Sequence, residues 1–297
     1  MVPPPSRTVG LLALVLAPVL ALGTACSATG PHRGADRDPA STSASESAGG
    51  TGPGAPGRVR LPAANAEFDY QLGDPYPPPD KVRAVSRDRS AEPAEGLYNI
   101  CYVNAFQTQP GKAVTWWEKH HPDLLLKDDD GNPVTDEDWD EPLLDISTPA
   151  RRTALMGIVG PWIDGCAAAG FDAVEPDNLD SYERSDGKLT SRHAAAFARM
   201  LADRAHLRHL AIAQKNTADL LPRHTRIGFD FAVVEECARY KECPDFSQAY
   251  DGRIFDIEYV NKDFAAACRS WGQSLSVTLR DRDVRPAGTD GYVRKSC

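Results

Sequence analysis

The chain has 297 residues, a formal net charge of -9 at pH 7 and 41% hydrophobic residues. That balance excludes nucleic acid as a natural partner, which needs a basic surface, and it supplies enough apolar content for a sizeable core. Acidity is often plain solubility, but it also suits a cationic ligand.

Positions 1–25 read as a lipoprotein-type secretory signal. Arg7 supplies the basic start, the apolar run Leu11 to Leu22 is shorter than the roughly 20 residues of a membrane span, and Gly23-Thr24-Ala25 gives a small-residue end. Leu22-Gly23-Thr24-Ala25-Cys26 resembles a bacterial lipobox, which would make Cys26 the lipidated first residue; ordinary cleavage nearby is the alternative. Residues 26–60 are Gly, Pro, Ser, Thr and Ala with scattered charge and no apolar period, the composition of a flexible tether. The protein is therefore expected outside the cell, as a cell-surface lipoprotein or a secreted form, meeting the membrane only through a lipid on Cys26. Residues 61–297 show no internal repeat and no second linker, so a single domain is expected, and a monomer.

Eight short apolar or β-branched segments follow: Phe68 to Leu72, Val82 to Ser86, Leu97 to Val103, Phe171 to Glu175, His209 to Ala213, Phe231 to Glu235, Ile254 to Glu258 and Leu275 to Leu279. Helical spacing lies between several of them, at Pro149 to Ala168, Ser191 to His206 and Asn261 to Trp271. Alternating strands and helices predict a parallel sheet, and eight strands in this length predict a closed (β/α)8 TIM barrel. The stretch Trp116 to Asp145 is a long insertion whose Lys127-Asp128-Asp129-Asp130-Gly131-Asn132 reads as a surface turn.

Cysteine usage agrees with export. With Cys26 set aside, six remain, for which sequence alone allows 15 pairings. Cys237 with Cys243 closes a tight local loop, Cys268 with Cys297 pins the C-terminus, and Cys101 with Cys166 is left. No Cys-x-x-Cys or Cys/His spacing suggests zinc, so no metal site is expected.

Polar residues gather where the strands stop. Phe171 to Val174 runs into Glu175-Pro176-Asp177-Asn178 and Asp180, and alternation puts Ala173, Glu175 and Asp177 on one face with Val174 on the other. The plainer reading of this stretch is a strand followed by a helix-capping turn. Asn104 ends the third strand, Gln214-Lys215-Asn216 the fifth, Glu235-Glu236 the sixth and Glu258-Tyr259 the seventh. In a barrel these ends share one rim, where active sites are built. Two carboxylates across such a mouth can hydrolyse a glycosidic bond, with retention at about 5 Å separation and inversion at about 6.5–9.5 Å. No Gly-x-Ser-x-Gly elbow and no phosphate-cradling loop is present.

Tyr70-Gln71-Leu72, Leu144-Asp145-Ile146, Gly170 to Asp180, Gln214-Lys215-Asn216 and Glu235-Glu236-Cys237-x-x-Tyr240-x-Glu242-Cys243 resemble, in collinear order, glycoside hydrolase family 114. These are TIM barrels of the endo-α-1,4-polygalactosaminidase type. The resemblance implies Asp177 and Glu235 as the catalytic pair; adjacent Glu236 must face the other way. Amides and aromatic side chains near that rim, Asn104, Gln214, Asn216, Tyr70, Tyr182, Tyr240 and Tyr259, suit sugar hydroxyls and sugar faces, and with Asn178, Asp180, Lys215 and Glu258 they are the candidate substrate-binding residues. The resemblance implies an acid at Glu175, in substrate binding or in reserve for the first catalytic role, with Lys215 able to hold an acid ionised. The implied substrate is an α-1,4-linked polymer of galactosamine and N-acetylgalactosamine, whose free amines make it cationic. No cofactor is needed. A catalytically silent carbohydrate-binding lipoprotein and a glycosidase for another amino-sugar glycan are the alternatives. Which acid is the nucleophile, and whether cleavage is endo or exo, stay open.

Overall fold

The computed structural model describes residues 59–297, so the signal, Cys26 and the tether up to residue 58 lie outside the described residues. Among the described residues, no helix is long and apolar enough to cross a membrane. The chain is already part of the domain at its first described residues: Arg60 lies over the Tyr98 ring, accepts the Tyr98 hydroxyl hydrogen bond on its carbonyl, and pairs with Asp172.

Eight parallel strands run in chain order around a barrel. They are β1 (Phe68–Gln71), β2 (Ala84–Asp88), β3 (Tyr98–Asn104), β4 (Ala173–Asp177), β5 (Ala211–Lys215), β6 (Phe231–Glu235), β7 (Ile254–Glu258) and β8 (Ser276–Arg280). The expected segments are all present. Several sit one or two residues later than predicted, because the apolar residues that start each segment lie in the approach to the strand.

One expectation needs correction. The predicted strand ends at Glu175, before a proline that cannot donate to the ladder, yet β4 continues through Pro176 to Asp177. Pairing with β5 is confined to Ala173 and Val174, so the missing N–H of Pro176 removes no rung on that side. The other edge of β4 stays in register with β3 as far as Asn104 and Asp177.

A ninth strand, β9 (Arg294–Ser296), was not foreseen; it pairs antiparallel with β8. It closes the seam to β1 through side chains. Arg294 donates to the Phe68 carbonyl at 3.0 Å and lies 3.1 Å from Asp69, while Ser296 donates to Glu67 at 2.8 Å.

Alternation sorts the side chains into two layers. Phe68, Ile100, Ala173, Ala211, Phe231 and Phe255 fill the barrel interior, with Phe68 and Phe255 stacked at 4.5 Å between centroids. Val174, Ile212, Ala232, Val234 and Val277 face outward against the helices. The helices are α1 (Lys112–His120), α2 (Pro149–Ala169), α3 (Ser191–Leu207), the single turns α4 (His224–Ile227) and α5 (Cys237–Tyr240), α6 (Cys243–Tyr250) and α7 (Asn261–Trp271). Thr148 and Thr190 cap α2 and α3 by accepting from the backbone N–H three residues on. Gly170 ends α2 in the left-handed region at φ 95°, which only glycine adopts without strain. Loops, not helices, join β1 to β2 and β2 to β3.

Three disulfides tie this shell together, with the pairing reached from the sequence. Cys101 on β3 is bonded to Cys166 on α2, Cys237 to Cys243 across the turn after β6, and Cys268 on α7 to Cys297.

Candidate active site

The C-terminal ends of β4, β5 and β6 converge on one ammonium group. Lys215, the last residue of β5, points into the barrel with a side chain 2% exposed. Its Nζ lies 3.3 Å from Glu175 Oε1, 3.2 Å from Asp177 Oδ1 and 3.4 Å from Glu235 Oε2. Each of Asp177, Lys215 and Glu235 closes its strand, and each is followed by a left-handed residue: Asn178 at φ 65°, Asn216 at φ 47° and Glu236 at φ 58°. Asn tolerates this region and Glu does not favour it. The chain therefore turns sharply away at the rim and leaves the strand-terminal side chain aimed into the mouth, an arrangement typical of functional sites.

Two layers of carboxylate result from the two-residue repeat of β4. Glu175 is the deeper: it is fully buried, with one oxygen accepting from the Tyr70 hydroxyl at 2.9 Å and the other from Ser86 at 2.6 Å. Burial, against the pull of Lys215, pushes its carboxyl up to about 7. Asp177 sits one layer higher, 17% exposed. Burial would raise it, but Lys215, the Tyr102 hydroxyl at 2.8 Å and the Asn178 backbone N–H at 2.8 Å more than reverse that, and the carboxyl is held below its usual range. Lys215 shows the mirror image: burial alone would lower it, and Asp177, Glu235 and Glu175 together hold it firmly charged.

Glu235 is more open, at 28% exposure. Asn216 clamps it from both ends, donating from Nδ2 to Oε2 at 3.0 Å and accepting from the Glu235 backbone N–H at 2.7 Å. The Tyr259 hydroxyl donates to the other oxygen. Burial, then the charge of Glu235, keeps Tyr259 protonated as a donor. Glu236 turns away to Arg239 at 2.7 Å, as adjacent positions on a strand require.

The remaining expected site residues divide. Tyr70 and Lys215 form the floor, hydroxyl and ammonium 3.0 Å apart. Asn104 and Asn178 join on the β3–β4 side, Asn178 Nδ2 donating to Asn104 Oδ1 at 2.9 Å. Asp180 lies on the rim in a two-pronged contact with Arg184. Tyr182 donates to Asp219 at 2.6 Å, and Tyr240, 52% exposed, stands on the turn after β6.

Two expectations are corrected. Gln214 points out of the barrel: it accepts from Tyr250 at 2.6 Å and donates to the carbonyls of Asn216 and Thr217, so it shapes the turn behind the site and does not line the mouth. Glu258 also faces outward, fully buried, with one oxygen accepting from the Ala238 N–H at 2.9 Å. Both are off the mouth because their neighbours, Lys215 and Tyr259, take the inward positions.

Four contributors were not singled out from the sequence: Ser86, Tyr102, Glu141 and Arg184. Tyr102 lies two residues beyond the inward-facing Ile100 on β3, so alternation carried a usable signal for it. Glu141 comes from the insertion, where a short antiparallel ladder of Thr135–Asp136 with Glu141–Pro142 docks on the rim. Asn104 donates to Glu141 at 2.9 Å, Gln107 to Asp136 at 3.1 Å, and Arg184 pairs with Asp136 at 2.9 Å.

A parallel barrel whose mouth brings two partly exposed carboxylates together over a buried ammonium has the architecture of a barrel glycoside hydrolase. The family model for glycoside-hydrolase family GH114 matches residues 51–297, and the chain belongs to that family. No curated protein sequence matches it. Among solved structures, the fold is similar to Aspergillus fumigatus Ega3 in complex with galactosamine, at a TM-score of 0.66 and 23% identity, covering 81% of this chain and 98% of that one. It is also similar to the glycoside hydrolase domain of PelA from Pseudomonas aeruginosa, at a TM-score of 0.54 and 16% identity, covering 75% and 97%. At these identities the likeness is one of fold.

Proposed function

We propose that this glycoside hydrolase cleaves α-1,4-linked galactosamine polymers, that Asp177 and Glu235 are its catalytic pair, and that it acts outside the cell, held by a lipid on Cys26. The observation that carries the pair is their shared ammonium: Asp177 Oδ1 and Glu235 Oε2 lie 3.2 and 3.4 Å from Lys215 Nζ. Those two oxygens can be no farther apart than these legs laid end to end. One oxygen of each acid thus sits against the same ammonium, a closeness that suits the shorter carboxyl separation of retaining enzymes. The substrate reading is supported by family membership and by the galactosamine in the Ega3 complex.

Asp177 suits the nucleophile, since Lys215, Tyr102 and the Asn178 N–H favour its anion. Glu235, the more exposed of the two, suits the acid/base. In the first half-reaction Glu235 donates its proton to the glycosidic oxygen while Asp177 forms an ester bond to the anomeric carbon and the leaving chain departs. In the second, Glu235 takes a proton from water, whose oxygen displaces Asp177. Each displacement inverts the anomeric centre, so the product keeps the α configuration.

The test is hydrolysis of a purified α-1,4-galactosamine polymer by the parent and by its Asp177→Asn and Glu235→Gln variants, with NMR of the first-formed anomer. Loss of at least about three orders of magnitude in both variants, unchanged melting and an α product are expected. An inert parent would remove the substrate assignment, and a β product would remove retention.

A further inference from the structure

Glu141 lacks the close counter-charge that Asp136, Asp180 and Glu236 have. Asp136 and Asp180 share Arg184 and Glu236 meets Arg239, whereas among the described residues no cation lies within ion-pair distance of Glu141. It is 8% exposed, and among the described residues its carboxylate accepts one hydrogen bond, from Asn104 Nδ2 to Oε2 at 2.9 Å. From Glu141 the contacts lead straight to the proposed nucleophile. Asn104 is the register partner of Asp177 across β3 and β4, it accepts from Asn178, and the Asn178 N–H donates to Asp177.

In a 2-amino sugar the nitrogen is carried by the carbon bonded to the anomeric centre. Whatever reads that nitrogen must therefore flank the group that attacks the centre. Asp177 has Tyr102 and Lys215 as side-chain donors to its carboxylate, and a cationic Lys215 repels an ammonium. Its other flank carries Asn104 and Glu141. We propose that Glu141 is the specificity-determining residue that binds the free C2 ammonium of the sugar attacked by Asp177, so that unacetylated galactosamine is preferred at the cleaved position. This rests on the function proposed above.

The chemistry of the neutral alternative agrees. An N-acetyl group brings no charge to offset a buried carboxylate, and adds bulk beside it. Burial, partly opposed by the Asn104 hydrogen bond and the more distant charge of Arg184 and reinforced by Asp177 and Asp136, pushes Glu141 up to about 7. An arriving ammonium would favour its ionised form, and binding would then release a proton from the protonated fraction.

The experiment measures kcat/KM of the full exported chain on a fully deacetylated α-1,4-galactosamine polymer and on the same polymer after chemical N-acetylation. Glu141→Gln is isosteric and retains an acceptor for Asn104; Glu141→Asp retains the charge. The parent should favour the deacetylated polymer. Glu141→Gln should lose roughly 10- to 100-fold on it, the range for a hydrogen bond to a charged group, with little change on the acetylated polymer, and Glu141→Asp should keep the preference. A Gln variant that slows both polymers equally, or a parent that does not distinguish them, overturns the role of Glu141 while leaving the substrate assignment intact. A parent that cleaves neither polymer overturns the assignment itself.

Discussion

Replacing Lys215 by Met tests whether the ammonium is what allows acids to gather at the barrel mouth. Lys215 is 2% exposed and lies within 3.4 Å of Glu175, Asp177 and Glu235. Methionine matches its length and leaves the acids without a counter-charge. Removing one partner of a buried ion pair costs about 3–5 kcal/mol. At about 2–4 °C per kcal/mol for a domain of this size, Tm should fall by roughly 6–20 °C at neutral pH. The sign with pH is the sharper test. In the parent, Asp177 is held below its usual value, so its contribution is present above the unfolded pKa near 4 and is lost only as pH falls through the lower folded value. In the variant, burial acts on Asp177 opposed only by the Tyr102 and Asn178 hydrogen bonds, and its carboxyl rises. The buried carboxyls then take up protons on folding, and this costs more as pH rises. The Tm gap between parent and variant should therefore be small near pH 5 and widen towards pH 8, read by calorimetry at fixed ionic strength. A gap that is the same at both pH values, or under about 2 °C throughout, would show that Lys215 does not hold these acids.

Two further expectations follow from the shell around the mouth. Trp139, 51% exposed, tips the hairpin that carries Asp136 and Glu141; Trp139→Ala should leave Tm within about 2 °C, raise KM for long polymer several-fold and spare short oligosaccharides, and an equal effect on long and short substrates would refute a role in gripping the chain. The disulfides should rank by loop length. Cys101–Cys166 spans 65 residues and Cys237–Cys243 spans 6, so removing each pair as alanines should cost about 4 and about 2 kcal/mol in the chain-entropy account, and a reversed order in denaturant melts would refute it.

How far the sequence could be read depended on whether a side chain's place is set by its own strand. Two-residue alternation puts Ala173, Glu175 and Asp177 inside and Val174 outside, and the structure has them so. The same rule separates Glu235 from Glu236. Applied to Gln214 and Glu258 it would have removed both from the mouth, since each is adjacent to an inward-facing residue; a polar residue at the end of a buried strand looks like a site residue whichever face it is on. Tyr102 was legible by the same count. Glu141 and Asp136 were not, because the insertion has no period and is positioned by side-chain bonds to Asn104, Gln107 and Arg184, contacts that span 29 to 48 residues of chain. The seam strand β9 was hidden for a similar reason: three residues carry no pattern, and Arg294 and Ser296 find their partners on the opposite terminus of the domain.

Depth along one strand is what gives chemically similar acids different tasks. Glu175 and Asp177 touch the same ammonium, and both are offered hydroxyl donors, Tyr70 and Ser86 for one and Tyr102 for the other. One step of two residues separates them. The deeper acid has lost all contact with water, and at about 7 it retains a proton on a large fraction of molecules near neutral pH. The shallower one keeps some solvent and gains a backbone N–H from the left-handed turn at Asn178, and it is held as an anion. A proton on Glu175 leaves the charge of Lys215 for Asp177. With Glu175 ionised, its negative charge would share that ammonium and repel the Asp177 anion that the proposed attack on the anomeric carbon requires. On the proposed mechanism, the fully buried acid of β4 acts through its protonation state, as a positioning neighbour of Asp177.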